Sequence, residues 1–250
     1  MIRHTASLAA IALALPAAAE ITGSDFDYEV GGVPMQGYVA ANANDNVEPR
    51  GTVLIVHDWD GLTGYEKRRA DMLAAMGYTA VAVDVYGRDR RPTSMDENRA
   101  RSGELYADRD LFRERLMGAL AAAQGLDAAT DDVVIMGYCF GGAAVLEAAR
   151  AGMEVDGFVS FHGGLGTPEG QSYAGIEGPV LLLHGSADPV SGMADLAALI
   201  DELQAAGVEH DARIFGGARH SFTVYGSGDY DLDADRGSWE ALQAFLAEEL

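Results

Sequence analysis

The stretch Asp132-Val133-Val134-Ile135-Met136-Gly137-Tyr138-Cys139-Phe140-Gly141-Gly142-Ala143-Ala144 decides the fold. Four apolar residues, three of them β-branched, run into Gly-x-Cys-x-Gly, and a small-residue helical pattern then continues to about Gly152. The order is strand, tight turn, helix. A side chain raised at the tip of such a turn needs a strained backbone, so the residues two before and two after it must be small. Gly137 and Gly141 meet that need. At the tip stands Cys139, the sole cysteine of the chain, where the free N–H groups of the following helix favour a thiolate. A cysteine after an apolar strand is also commonly a small core residue, so the reading depends on partners elsewhere.

Those partners are present in order. Leu181-Leu182-Leu183-His184-Gly185-Ser186-Ala187-Asp188 ends a later apolar run, and Gly216-Gly217-Ala218-Arg219-His220-Ser221-Phe222 follows another. Nucleophile, acid, then histidine is the chain order of an α/β-hydrolase triad. His220 has the pKa range to take a proton from Cys139 near neutrality, and Asp188 would hold its ring in one tautomer. The backbone N–H groups of Phe140 and Trp59 are the candidate donors to an oxyanion.

Outward from this centre, apolar strands and helices alternate. Thr52–His57, Thr79–Val85, Val133–Met136, Val155–Phe161, Val180–Leu183 and His210–Phe215 read as strands. Helices are expected over Tyr65–Met76, Leu111–Gln124, Gly141–Ala151, Met193–Ala206 and Gly237–Glu249. Phe26–Val30 and Met35–Ala40 flank Gly31-Gly32 as an opening hairpin. The alternation implies an α/β fold with a mainly parallel central sheet and helices on both faces. Ligands bind beyond the carboxyl ends of such strands, which gathers His57, Asp58, Tyr86, Arg88, Cys139, His162, His184, Asp188 and His220 on one rim.

The 250 residues carry a formal charge of −22 and one lysine, Lys67, which argues against nucleic acid or an anionic membrane surface as partner. Arg3 before an apolar run from Leu8 to Leu15 and the small residues Ala17-Ala18-Ala19 read as a signal peptide over 1–19, cleaved before Glu20. The expected product is one domain over 20–250, periplasmic or secreted, and a monomer. One cysteine cannot form an internal disulfide. No tight ligand spacing such as His-x-x-x-His supports a metal site on His57, Asp58, His162 and His184, and no cofactor is expected.

With these residues in place, the chain resembles the dienelactone hydrolase family of α/β hydrolases, whose nucleophile is a cysteine in a G-Y-C-x-G-G elbow. Gly137-Tyr138-Cys139-Phe140-Gly141-Gly142, Asp188 and Gly217-Ala218-Arg219-His220-Ser221-Phe222 carry the resemblance. It implies hydrolysis of small carboxylic esters or lactones through an acyl-enzyme. It also implies that Asp58, where better-known members have a glutamate, modulates the thiol. Of two family arginines that bind a substrate carboxylate, the first falls on Arg88 and the second on Val224. Tyr138, His162 and Ser221 join Arg88 as candidate substrate contacts, and the basic segment Arg88–Arg101 suits an anionic ester. The alternatives are a thioesterase or peptidase, and a catalytically silent binding or sensing module on the same fold.

Overall fold

A computed structural model describes residues 20–44 and 48–250; the expected signal segment 1–19 lies outside the described residues. The strands are β1 (Ile21–Val30), β2 (Val33–Asn42), β3 (Thr52–Val56), β4 (Thr79–Val83), β5 (Val133–Tyr138), β6 (Gly157–Phe161), β7 (Val180–Gly185) and β8 (His210–Phe215). The helices are α1 (Gly64–Ala75), α2 (Met95–Ala107), α3 (Arg109–Gln124), α4 (Phe140–Arg150), α5 (Met193–Ala206) and α6 (Leu232–Glu249). The strands form one sheet in the order β1-β2-β4-β3-β5-β6-β7-β8. From β4 to β8 every pairing is parallel, while β1–β2 and β2–β4 are antiparallel. Gly31 and Gly32, with φ of 57° and 74°, make the two-residue turn that joins β1 to β2.

Strands β3 to β7 are buried on both faces, which is why they read as continuous apolar runs rather than alternating ones. Their residues nonetheless divide by parity. Leu54, Val56, Ile135, Phe158 and Leu182 face the core beneath α3, α4 and α5, whereas Val53, Ile55, Val134, Met136, Val159 and Leu183 face α1 and α6. Edge strand β8 is largely exposed, and its sequence His-Asp-Ala-Arg-Ile-Phe is correspondingly polar.

Three elements depart from the sequence expectation, the first being β1, which begins at Ile21 and not at Phe26. Helix α2, absent from that expectation, begins inside the basic segment Arg88–Arg101 and is capped by the Ser94 hydroxyl, which accepts from the Glu97 N–H. Its buried positions are Asn98, Ser102 and Leu105, so the stripe has helical spacing but mostly polar residues, and hydrophobic periodicity alone could not reveal it. Helix α6 starts at Leu232, not Gly237, because Asp231 accepts the N–H groups of Asp233 and Ala234. Gly237 sits inside that helix where a Cβ would lie 3.0 Å from the Phe215 ring.

Candidate active site

The turn between β5 and α4 has the shape its glycines imply. Cys139 is one of three non-glycine residues with positive φ among the described residues, at φ 53° and ψ −110°. A Cβ on Gly137 would fall 2.3 Å from the Gly141 backbone, and one on Gly141 would fall 2.2 Å from the Val56 carbonyl. Any side chain at either place would push the elbow off the sheet. The strain at Cys139 is held by the neighbouring strand end: its N–H donates to the Phe161 carbonyl at 3.0 Å and to His162 Nδ1 at 3.1 Å.

Cys139 Sγ lies 2.9 Å from His220 Nε2, and His220 Nδ1 lies 2.8 Å from Asp188 Oδ2. Asp188 Oδ1 in turn accepts the N–H groups of Val190 at 2.7 Å and Ser191 at 3.2 Å, so the carboxylate is fixed in the loop after β7. Burial alone would raise the Asp188 pKa, but the hydrogen bond and charge of His220 and the two N–H donors outweigh it and hold the group below the usual carboxylate value. An ionised Asp188 requires the imidazole proton on Nδ1, leaving Nε2 free to accept from the thiol.

Burial and then the charge of the nearby Asp58 push the Cys139 pKa well above that of a free cysteine, against the pull of the Phe140 N–H. Asp58 itself, buried at the end of β3, is pushed up to about 7, chiefly by burial and further by Asp60 and Glu66. Its Oδ1 accepts the Trp59 N–H, the group expected to serve an oxyanion, while Tyr86 Oη donates to the Trp59 carbonyl at 3.1 Å. Glu66 fixes this loop from below by accepting the N–H groups of Asp58 and Thr63.

A cleft of about 310 Å³ opens at the sulfur, lined by His220, Ser221, Phe140, Trp59, Tyr106 and Val190. Gly164 and Ser102 complete it. Of the four expected substrate contacts, only Ser221 lines this space. Arg88 lies outside the lining and pairs with Asp27 at 3.3 Å and Asp89 at 3.5 Å. Tyr138 is wholly buried against Phe161 and Tyr65.

His162 is fully buried behind Cys139 and does not line the cleft. Burial and the nearby His220 push its pKa well down, so it is neutral, and because Nδ1 accepts from Cys139 its proton sits on Nε2, 2.7 Å from Thr223 Oγ1. Thr223 also accepts from Tyr65 Oη at 2.7 Å, and Arg69 donates to its carbonyl at 3.1 Å. This buried network ties the elbow to the loop that carries His220. His57 and His184 are engaged by backbone: His57 by the Asp58 carbonyl and the Val85 N–H, and His184 by the Ser191 carbonyl. Among the described residues, no three His, Cys, Asp or Glu side chains converge as metal ligands.

Ser102, Tyr106, Gly164, Val190 and Thr223 were not singled out from the sequence. A signal for the first two exists: Ser94-Met-Asp-Glu97 has the spacing of a helix-capping box, and from that start Ser102 and Tyr106 fall four apart on one face.

The parallel sheet flanked by helices, with the glycine-flanked elbow after its central strand, is that of an α/β hydrolase. A profile of the dienelactone hydrolase family matches residues 35–250, and the chain belongs to that family. It is 24% identical over 255 residues to a Saccharolobus solfataricus protein that carries the provisional name carboxymethylenebutenolidase, covering 88% of this chain and 96% of that one. Among solved structures, a dienelactone hydrolase-like promiscuous phosphotriesterase, P91, from metagenomic libraries shares 31% identity with a TM-score of 0.84, covering 92% of this chain and 98% of that one. A further structure from Klebsiella pneumoniae, at 21% identity and a TM-score of 0.72 over 91% of this chain and 99% of that one, shares the fold. The protein is therefore a hydrolase of the α/β-hydrolase fold that acts on a small molecule.

Proposed function

We propose that the protein hydrolyses small carboxylic esters or lactones with Cys139 as nucleophile, His220 as general base and acid, and Asp188 as the group that orients His220. The observation that carries this reading is the unbroken contact from sulfur to imidazole to carboxylate, 2.9 Å and 2.8 Å, at a cleft. His220 Nε2 takes the thiol proton as sulfur attacks the carbonyl carbon. The oxyanion settles against the Phe140 N–H, joined by the Trp59 N–H once Asp58 releases it. Collapse expels the alcohol, which leaves with the proton held by His220. Water then attacks the thioester, giving its proton to His220, and the acid departs as the thiol is restored.

Alanine at position 139 is expected to lower hydrolysis of 4-nitrophenyl butyrate to the background rate while the circular dichroism spectrum is unchanged. Wild-type enzyme quenched in acid should show a mass gain of one butyryl group on the peptide holding Cys139. Full turnover after carboxymethylation of Cys139 by iodoacetamide would refute the assignment. The 31% identity to the promiscuous phosphotriesterase favours a second activity at the same sulfur: displacement of an aryloxide from an uncharged phosphotriester, followed by water attack on the S-phosphoryl group. We further propose that the chain acts outside the cytoplasm, on the strength of the charged, apolar and small-residue pattern over 1–19.

A further inference from the structure

Resting on the hydrolase reading above, we infer that the substrate is an uncharged ester with an apolar acyl or alcohol part, selected by an uncharged cleft wall to which helix α2 contributes Tyr106. The argument starts from the cleft wall. Trp59, Tyr106, Phe140 and Val190 supply it, and no arginine or lysine among the described residues lines it. The arginines of the nearby basic segment are all engaged elsewhere. Arg88 pairs with Asp27 and Asp89, Arg90 and Arg101 with Glu104, Arg91 with the Gln36 carbonyl and Asp84, and Arg99 with Asp96. Arg219, beside the catalytic histidine in sequence, is held by Asp229 at 2.8 Å.

A carboxylate entering this space would lose its water and gain no unpaired cation, because Arg109, stacked on Tyr106, is held by Glu147 at 3.1 Å. It would also approach the ionised Asp188 and the acidic surface of a chain with net charge −22. Neutral hydrogen bonding is available instead. Tyr106 Oη has no protein partner among the described residues, and neither has Ser221 Oγ, whereas Ser102 Oγ is already donated to the Asn98 carbonyl of its own helix. Tyr106 is braced for contact: its ring packs on Phe140 with centroids 5.5 Å apart, and the Arg109 guanidinium covers its outer side at 5.1 Å. A volume of about 310 Å³, at the small end of ligand pockets, sets a limit on the acyl and alcohol parts together.

The test compares 4-nitrophenyl hexanoate with mono-4-nitrophenyl adipate, equal in acyl length and differing by a terminal carboxylate. The wild-type kcat/KM is expected to be at least tenfold higher for the hexanoate. Val190→Arg, at a rim position that is 62% exposed and tolerates a long side chain, is expected to raise the adipate-to-hexanoate ratio at least tenfold. An adipate kcat/KM equal to or above that of hexanoate in the wild type would overturn the inference while leaving the hydrolase reading intact. Absence of turnover with both would sink the hydrolase reading. In that event, protection of Cys139 from iodoacetamide by hexanamide and by adipamate decides the inference, with equal or better protection by adipamate overturning it.

Discussion

Replacing Asp58 with asparagine keeps the shape of the side chain and its acceptor for the Trp59 N–H but removes a charge that the fold disfavours. Asp58 is 7% exposed, and its folded pKa of about 7 compares with 3.8 for the free carboxyl, with burial the largest cause. Between those two values the unfolded chain has released the proton while the folded chain still holds it. Stability contributed by the protonated group is complete below 3.8, declines as the pH rises, and is fully lost above the folded value. At about 1.4 kcal/mol per pH unit over roughly three units, ionised Asp58 destabilises the native state by up to about 4 kcal/mol at pH 8. Urea denaturation of wild type and D58N at pH 4 and pH 8 measures it. The two proteins are expected to match at pH 4, with D58N the more stable at pH 8 by several kcal/mol. The same substitution removes a charge that raises the thiol pKa, so the alkylation rate of Cys139 should rise at lower pH than in wild type. A stability difference that is the same at both pH values, or wild type the more stable at pH 8, would refute the reasoning.

Other substitutions separate roles that proximity leaves mixed. Asp188→Asn keeps an oxygen for the Val190 and Ser191 N–H groups and so turns its NH₂ toward His220 Nδ1, which forces the imidazole proton onto Nε2, facing the sulfur. A fall in kcat of about 10³–10⁴ is expected, by analogy with the loss a serine protease suffers from the same change, and a loss below about tenfold would count against the triad. Thr223→Val leaves the buried donors of His162 and Tyr65 unsatisfied, at about 1–3 kcal/mol each. The melting temperature should drop by several degrees with KM little changed. A raised KM with unchanged melting temperature would instead make His162 a substrate contact.

The sheet and the elbow could be read from the chain because their causes are local. Strands buried on both faces must be apolar along their whole length, and a side chain raised at a sharp turn admits only glycine beside it, so Thr52–Val56, Val133–Tyr138 and Gly137-x-Cys139-x-Gly141 carry their structure in their composition. Helix α2 was hidden because its inward stripe uses asparagine and serine. Its cap, Ser94 with Glu97, was a sign available in the sequence that periodicity did not use.

What the sequence determined by itself was the order of the candidate site: a lone cysteine between glycines, then Asp188, then His220, each just past a strand. Only the tertiary structure decided which polar side chains face the cleft. It turned Arg88 toward Asp27, sank Tyr138 and His162 behind the elbow, and brought Tyr106 and Val190 from distant segments to wall the sulfur. The physical reason is that strand and turn propensities act over a few residues. The direction of a long charged side chain is instead set by whichever opposite charge the fold brings within reach, and that partner can lie tens of residues away in the chain.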